Sequence, residues 1–111
     1  MTAVPELTPE QFRARWPEAP QAGNVVLLDV REPRELSIAS IPGAIAVPMH
    51  EIPARLNELE TDKPIVVMCH SGGRSRQVAG FLLSSGFSDV FNLSGGIDAW
   101  AQTVDPQTPR Y

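Results

Sequence analysis

The chain has 111 residues, 13 acidic against 9 basic side chains for a formal net charge of −4, and a single cysteine. That length suits one domain, spanning 1–111 and able to bury roughly 60–70% of its unfolded surface without staples, while one cysteine excludes an internal disulfide and any multi-cysteine metal site. The acidic balance speaks against nucleic acid or an anionic membrane as partner, and with no basic-then-apolar leader in residues 1–24 and no apolar run near ~18 residues the expectation is a cytoplasmic protein.

Thr8 followed by Gln11 three residues later, with Pro9 between them, predicts a capped helix through about Trp16, stopped by Pro17. Residues 17–24 read as a surface loop leading into the apolar run 25–30, of the length and composition of a buried strand. A short helix starts at Glu32-Pro33-Arg34-Glu35-Leu36, Pro42-Gly43 turns the chain, and Ala44 to Val47 form a short strand. Pro53 to Leu59 predict a helix of about two turns with Leu56 and Leu59 on one face. Ile65-Val66-Val67-Met68 are a strand apolar on both faces. From Ser75 the positions Val78, Ala79, Leu82 and Leu83 recur at helical spacing until Gly86. Val90 to Leu93 form another strand, Gly95-Gly96 turn into a last helix through Trp100, and residues 102–111 form an extended tail. Strands alternating with helices, and apolar on both faces, predict an α/β fold with a parallel sheet covered by helices.

Cys69 sits at the carboxyl end of the strand 65–68, before a glycine-bearing loop and a helix, which is where open α/β sheets place their ligands. A loop of this kind aims successive backbone N–H groups inward, and the helix adds its partly positive end. Both lower a cysteine pKa and favour a charged nucleophile. The amides of residues 70–74 (His70, Ser71, Gly72, Gly73, Arg74) are the candidate donors around the sulfur, with Gly72 and Gly73 supplying backbone freedom and close approach. Arg74 either faces a ligand or ties the loop to a carboxylate, Asp29 or Glu32. Arg31, just after the first apolar strand, is a candidate for drawing in an anion, and Arg76 for adding positive potential at the mouth. His70 adjoins the nucleophile but is not an obvious base. Asp29 reads as a structural residue tying down neighbouring amides, Gly95 and Gly96 as a tight turn, Trp100 as core and His50 as surface.

Four segments together carry a family resemblance: Leu28-Asp29-Val30-Arg31-Glu32, Ile41-Pro42-Gly43-Ala44, the loop Cys69 to Arg74, and Gly95-Gly96-Ile97-Asp98-Ala99-Trp100. In this order and spacing the chain resembles a single-domain rhodanese, or thiosulfate sulfurtransferase, from about Leu7 to Tyr111. Ala39-Ser40 stand where many relatives have Gly-His. The resemblance implies a small, mostly parallel sheet of about five strands with helices on both faces, a core over about 7–101, and no cofactor. It also implies a mechanism: the Cys69 thiolate takes the outer sulfur of a donor such as thiosulfate as a persulfide, which a thiophilic acceptor, cyanide in the usual assay, then removes. His70 to Arg74 and Arg31 become candidate residues for binding the small anionic donor. Four residues separate Cys69 from Arg74, whereas the phosphatases related to rhodaneses have five, so the loop fits a sulfur better than a phosphate or arsenate. A sulfur carrier that passes its persulfide to a partner protein is the alternative reading.

Overall fold

In the computed structural model, which describes residues 3–111, five strands form one sheet in the order β1-β5-β4-β2-β3. They are β1 (Glu6–Leu7), β2 (Val26–Asp29), β3 (Ile45–Ala46), β4 (Ile65–Met68) and β5 (Val90–Leu93), and every pairing is parallel. Four α-helices connect or flank them: α1 (Pro9–Arg15), α2 (Pro33–Ile38), α3 (Gly73–Ser84) and α4 (Gly96–Thr103). No helix among the described residues is long and apolar enough to cross a membrane.

Local signals explain most of these elements. The Thr8 side chain accepts from the Gln11 amide at 3.1 Å while the Gln11 side chain accepts from the Thr8 amide at 2.9 Å, so the predicted capping box starts α1. In α2 the Glu35 side chain accepts from the Glu32 amide at 3.0 Å. The central strands are buried on both faces and their alternation divides the core. Val26, Leu28, Val30, Ile65, Val67 and Cys69 pack beneath α3, against Val78, Ala79 and Leu82. Val25, Leu27, Val66 and Met68 face the other way, onto Phe12, Trp16, Ile97 and Trp100 from α1 and α4. Fully burying a valine, leucine, isoleucine, phenylalanine or methionine side chain in this way contributes about 1.5–3 kcal/mol.

Three elements differ from the sequence reading. Residues 49–58 are 3₁₀ turns, Met49–Glu51 and Pro53–Glu58, because Pro53 and a kink at Arg55 interrupt any longer α-helical run, although Leu56 and Leu59 do meet the core. The edge strand β1 was not expected: two residues carry no periodicity, and its pairing with β5 creates it. The expected extended tail begins two residues later, because α4 runs to Thr103, and residues 104–111 are tied back onto the domain: Arg110 donates to Asp98 at 2.8 Å, and Tyr111 accepts from Arg31 and stacks on His70.

The order of the strands fixes where a site belongs. From β2 the chain moves outward to β3, then returns to β4 on the other side of β2 and continues to β5. That reversal opens a crevice between the carboxyl ends of β2 and β4. Asp29 ends the first strand and Cys69 follows the second.

Candidate active site

Cys69 is buried, on the α3 side of the sheet, and the loop after it curls so that its donors converge on the sulfur. Gly72 N–H donates to Sγ at 3.1 Å and Ser75 N–H at 3.4 Å, and the Ser75 hydroxyl lies 3.3 Å away. Gly72 has φ +108°, a left-handed conformation that L side chains rarely adopt, and an added Cβ would press on the Gly95 amide. The requirement for glycine in the loop is conformational at Gly72 alone; Gly73 opens α3 and faces free space. Burial pushes the Cys69 thiol up, but hydrogen bonds from the Ser75 hydroxyl and from the Ser75, Gly72 and Ser71 amides outweigh it and hold the pKa below the ordinary thiol value. The first turn of α3 supplies part of that field, since Ser75 belongs to it.

A second helix braces the loop from behind. Gly96, at φ +60°, lets the start of α4 approach so closely that a Cβ there would fall on the carbonyl oxygens of Cys69 and His70. Ile97 N–H donates to Cys69 O at 2.9 Å and Asp98 N–H to His70 O at 3.1 Å. With these carbonyls drawn towards α4, the loop is held by the first amides of α4 on one side while its own amides face the sulfur. Gly95-Gly96 therefore does more than turn the chain.

Arg74 adopts the second of its two expected roles, with a different partner. Its guanidinium grips Glu35 through two hydrogen bonds of 2.7 and 2.9 Å, rather than Asp29 or Glu32, and so pins the helix bearing the cradle to α2. The Arg74 fork is the main reason the Glu35 carboxyl lies well below the usual carboxylate range; burial opposes it and the Tyr111 hydroxyl, donating at 2.7 Å, assists. Arg74 still adds positive potential at Cys69, as does Arg76, which is paired with Glu6 at 2.9 Å.

Arg31 corrects the sequence reading. It is fully buried and pairs with Asp29 at 2.7 Å, with further hydrogen bonds to the carbonyls of Glu35 and Ala39 and to the Tyr111 hydroxyl. A guanidinium so committed is unavailable to a donor at the mouth; its charge organises the end of β2 instead. Asp29 behaves as expected, its carboxylate accepting the Arg31 amide at 3.1 Å. Trp100 is core and His50 is exposed. The His70 ring lies flat against Tyr111, centroids 4.1 Å apart, which leaves its neighbour Ser71 exposed at the rim.

Several participants had no individual signal in the sequence. Ser75 reads in sequence only as the start of a helix, and Glu6, Glu35 and Tyr111 reach the site through partners 70, 39 and 41 positions away, Arg76, Arg74 and His70, pairings no local pattern encodes. Asn92 did carry a trace: it is the one polar residue in the otherwise apolar run Val90-Phe91-Asn92-Leu93, and it is fully buried. A buried amide needs partners. Its Nδ2 donates to Gly72 O at 3.1 Å and to the Glu6 carboxylate at 3.0 Å, and the Ser75 hydroxyl donates to its Oδ1.

Comparison with known proteins agrees with this geometry. Residues 13–103 match the family described as Rhodanese-like domain. The chain is 34% identical over 108 residues to the thiosulfate sulfurtransferase GlpE of Pseudomonas syringae pv. syringae, covering 97% of each protein. It is 38% identical over 112 residues to the chloroplastic rhodanese-like/PpiC domain-containing protein 12 of Arabidopsis thaliana, of whose length it spans only 38%. The crystal structure of a rhodanese-like domain protein from Staphylococcus aureus superposes with a TM-score of 0.80 at 28% identity, covering 97% of this chain and 99% of that one. With its parallel five-stranded sheet and its cysteine loop at the switch point, the chain belongs to the rhodanese-like domain family.

Proposed function

We propose that the protein is a sulfurtransferase that carries sulfane sulfur on Cys69, with thiosulfate or a related small anion as donor. The observation that carries this reading is the buried Sγ ringed by the Gly72 and Ser75 donors at 3.1–3.4 Å. The Sγ thiolate attacks the outer sulfur of the donor. A new S–S bond forms, the donor's own S–S bond breaks, and sulfite leaves with its electron pair. Negative charge thus moves from Sγ to the outer sulfur, which stays among the loop amides that had stabilised the thiolate. Attack by the acceptor on that outer sulfur then returns Cys69 to the thiolate. No proton has to move in either half, so the transfer requires no base on Sγ.

A phosphoryl group suits the site less well. The amides close directly on Sγ, and Arg74 is turned to Glu35, so its fork does not face the loop interior where a phosphoryl dianion would need it. The test is turnover. With thiosulfate and cyanide the protein should form thiocyanate and sulfite in equal amounts, Cys69→Ser should form neither, and an aryl phosphate should remain intact. Cys69-dependent release of phosphate without thiocyanate would overturn the reading. Poor thiosulfate turnover alongside rapid loading from another persulfide protein would make the carrier role the better description of the same Cys69 chemistry.

A further inference from the structure

The Ser75 hydroxyl stands between two acceptors and has one hydrogen. On one side is Sγ at 3.3 Å, on the other Asn92 Oδ1 at a much shorter separation. The orientation of the Asn92 amide follows from its other neighbours. One end faces the Gly72 carbonyl and the Glu6 carboxylate, which only accept, so that end is Nδ2 and the end facing Ser75 is Oδ1. Because Oδ1 only accepts, the short contact requires the Ser75 hydrogen. While it is given to Asn92, the hydroxyl oxygen offers Sγ a lone pair, which suits an S–H donor and repels a thiolate.

We propose that Asn92 is a positioning residue that makes Ser75 a two-position donor, turned to Asn92 when Cys69 is a thiol or a persulfide and to Sγ only when Cys69 is a thiolate. The persulfide half of this statement rests on the sulfurtransferase reading; the thiol half does not. Once the outer sulfur is attached, negative charge has left Sγ, which becomes a weak acceptor, and the hydroxyl returns to Oδ1. Asn92 therefore favours the thiol and the persulfide over the thiolate by the same hydrogen bond. It restrains the free thiolate and favours the loaded enzyme. The charges around the group are Glu6 on β1, held by Arg76 of α3, and Arg74 of α3, held by Glu35 of α2. Replacing Asn92 alters none of these charges.

The experiment is a cycle of Asn92→Ala, Ser75→Ala and the double variant, read first by the pH midpoint of Cys69 alkylation by iodoacetamide. Removing the competing acceptor should lower the midpoint by about half to one pH unit, a roughly three- to tenfold gain in thiolate. In the Ser75→Ala background Asn92→Ala should have no such effect. A midpoint that rises in Asn92→Ala, or falls equally with and without Ser75, overturns the proposal, because Asn92 would then act through Gly72 and not through the hydroxyl. The second reading is the loading equilibrium with thiosulfate and sulfite, above both midpoints, where Asn92→Ala should weaken loading by the same factor. If the midpoint shifts but no persulfide forms in any variant, the sulfurtransferase reading fails and the proton-sharing part stands. Should the variants not fold, the wild-type protein supplies the answer through the Asn92 Cγ NMR resonance. It should titrate with the Cys69 midpoint as Oδ1 loses its donor; a flat response overturns the proposal.

Discussion

Gly96→Ala isolates the bracing of the cysteine loop by α4. The new Cβ would fall on the Cys69 and His70 carbonyl oxygens, and φ is +60°, so the start of α4 must retreat and loosen the hydrogen bonds from Ile97 and Asp98, now 2.9 and 3.1 Å. Left-handed strain costs about 1–2 kcal/mol, and each weakened backbone hydrogen bond about 0.5–1.5 kcal/mol. Together these predict a loss of about 2–5 kcal/mol in urea unfolding followed by tryptophan fluorescence. Gly23→Ala is the control: φ is +77° but nothing lies within 4 Å of the new Cβ, so it should lose only about 1–2 kcal/mol, the strain alone. Cys69 alkylation at mildly acidic pH should also slow in Gly96→Ala and not in Gly23→Ala. Equal stability losses in the two variants, with alkylation unchanged in both, would refute the idea that α4 holds the loop in place.

The polar network behind the site makes further predictions. Arg31→Leu leaves the buried Asp29 carboxylate unpaired and should cost about 3–5 kcal/mol in urea unfolding, much of it recovered when Asp29 is also replaced by Leu; a small loss in the single variant would contradict the burial of the pair. Glu35→Gln should lose about 1 kcal/mol at neutral pH, a modest value because Arg74 is partly exposed. The folded carboxyl lies below its unfolded value, so this stability is complete above about pH 4.3 and fades as pH falls towards the folded pKa. The gap between wild type and Glu35→Gln in urea titrations should accordingly close in acid; a gap that widens would reverse the sign of the coupling. Tyr111→Phe removes the hydroxyl that accepts from Arg31 and donates to Glu35, and should cost about 1 kcal/mol by the same measurement.

Much of the fold was legible because its signals are local. The Thr8–Gln11 cap, the doubly apolar strands and the spacing of Val78, Ala79 and Leu82 each act over a few residues, and the structure places them as expected. The cysteine loop was legible for the same reason: nucleophile, glycine and helix start are contiguous. The rest depends on distant pairings. Nothing near Glu35 announces Arg74, and nothing near Arg31 says that it will turn inward to Asp29 instead of outward to an anion. Charge in a sequence has no direction. Gly96 was read as a turn because a left-handed glycine and a close-packing glycine look alike until the opposing carbonyls are in place. The buried Asn92 shows the converse, a polar residue in an apolar strand whose meaning emerged only with its three partners.

The central claim is that Cys69 carries sulfur, and intact-mass measurement tests it most directly. After incubation with thiosulfate and removal of excess donor, the protein should gain the mass of one sulfur atom, lose it on addition of cyanide, and show no gain as Cys69→Ser. An unchanged wild-type mass, or an equal gain in Cys69→Ser, would contradict it.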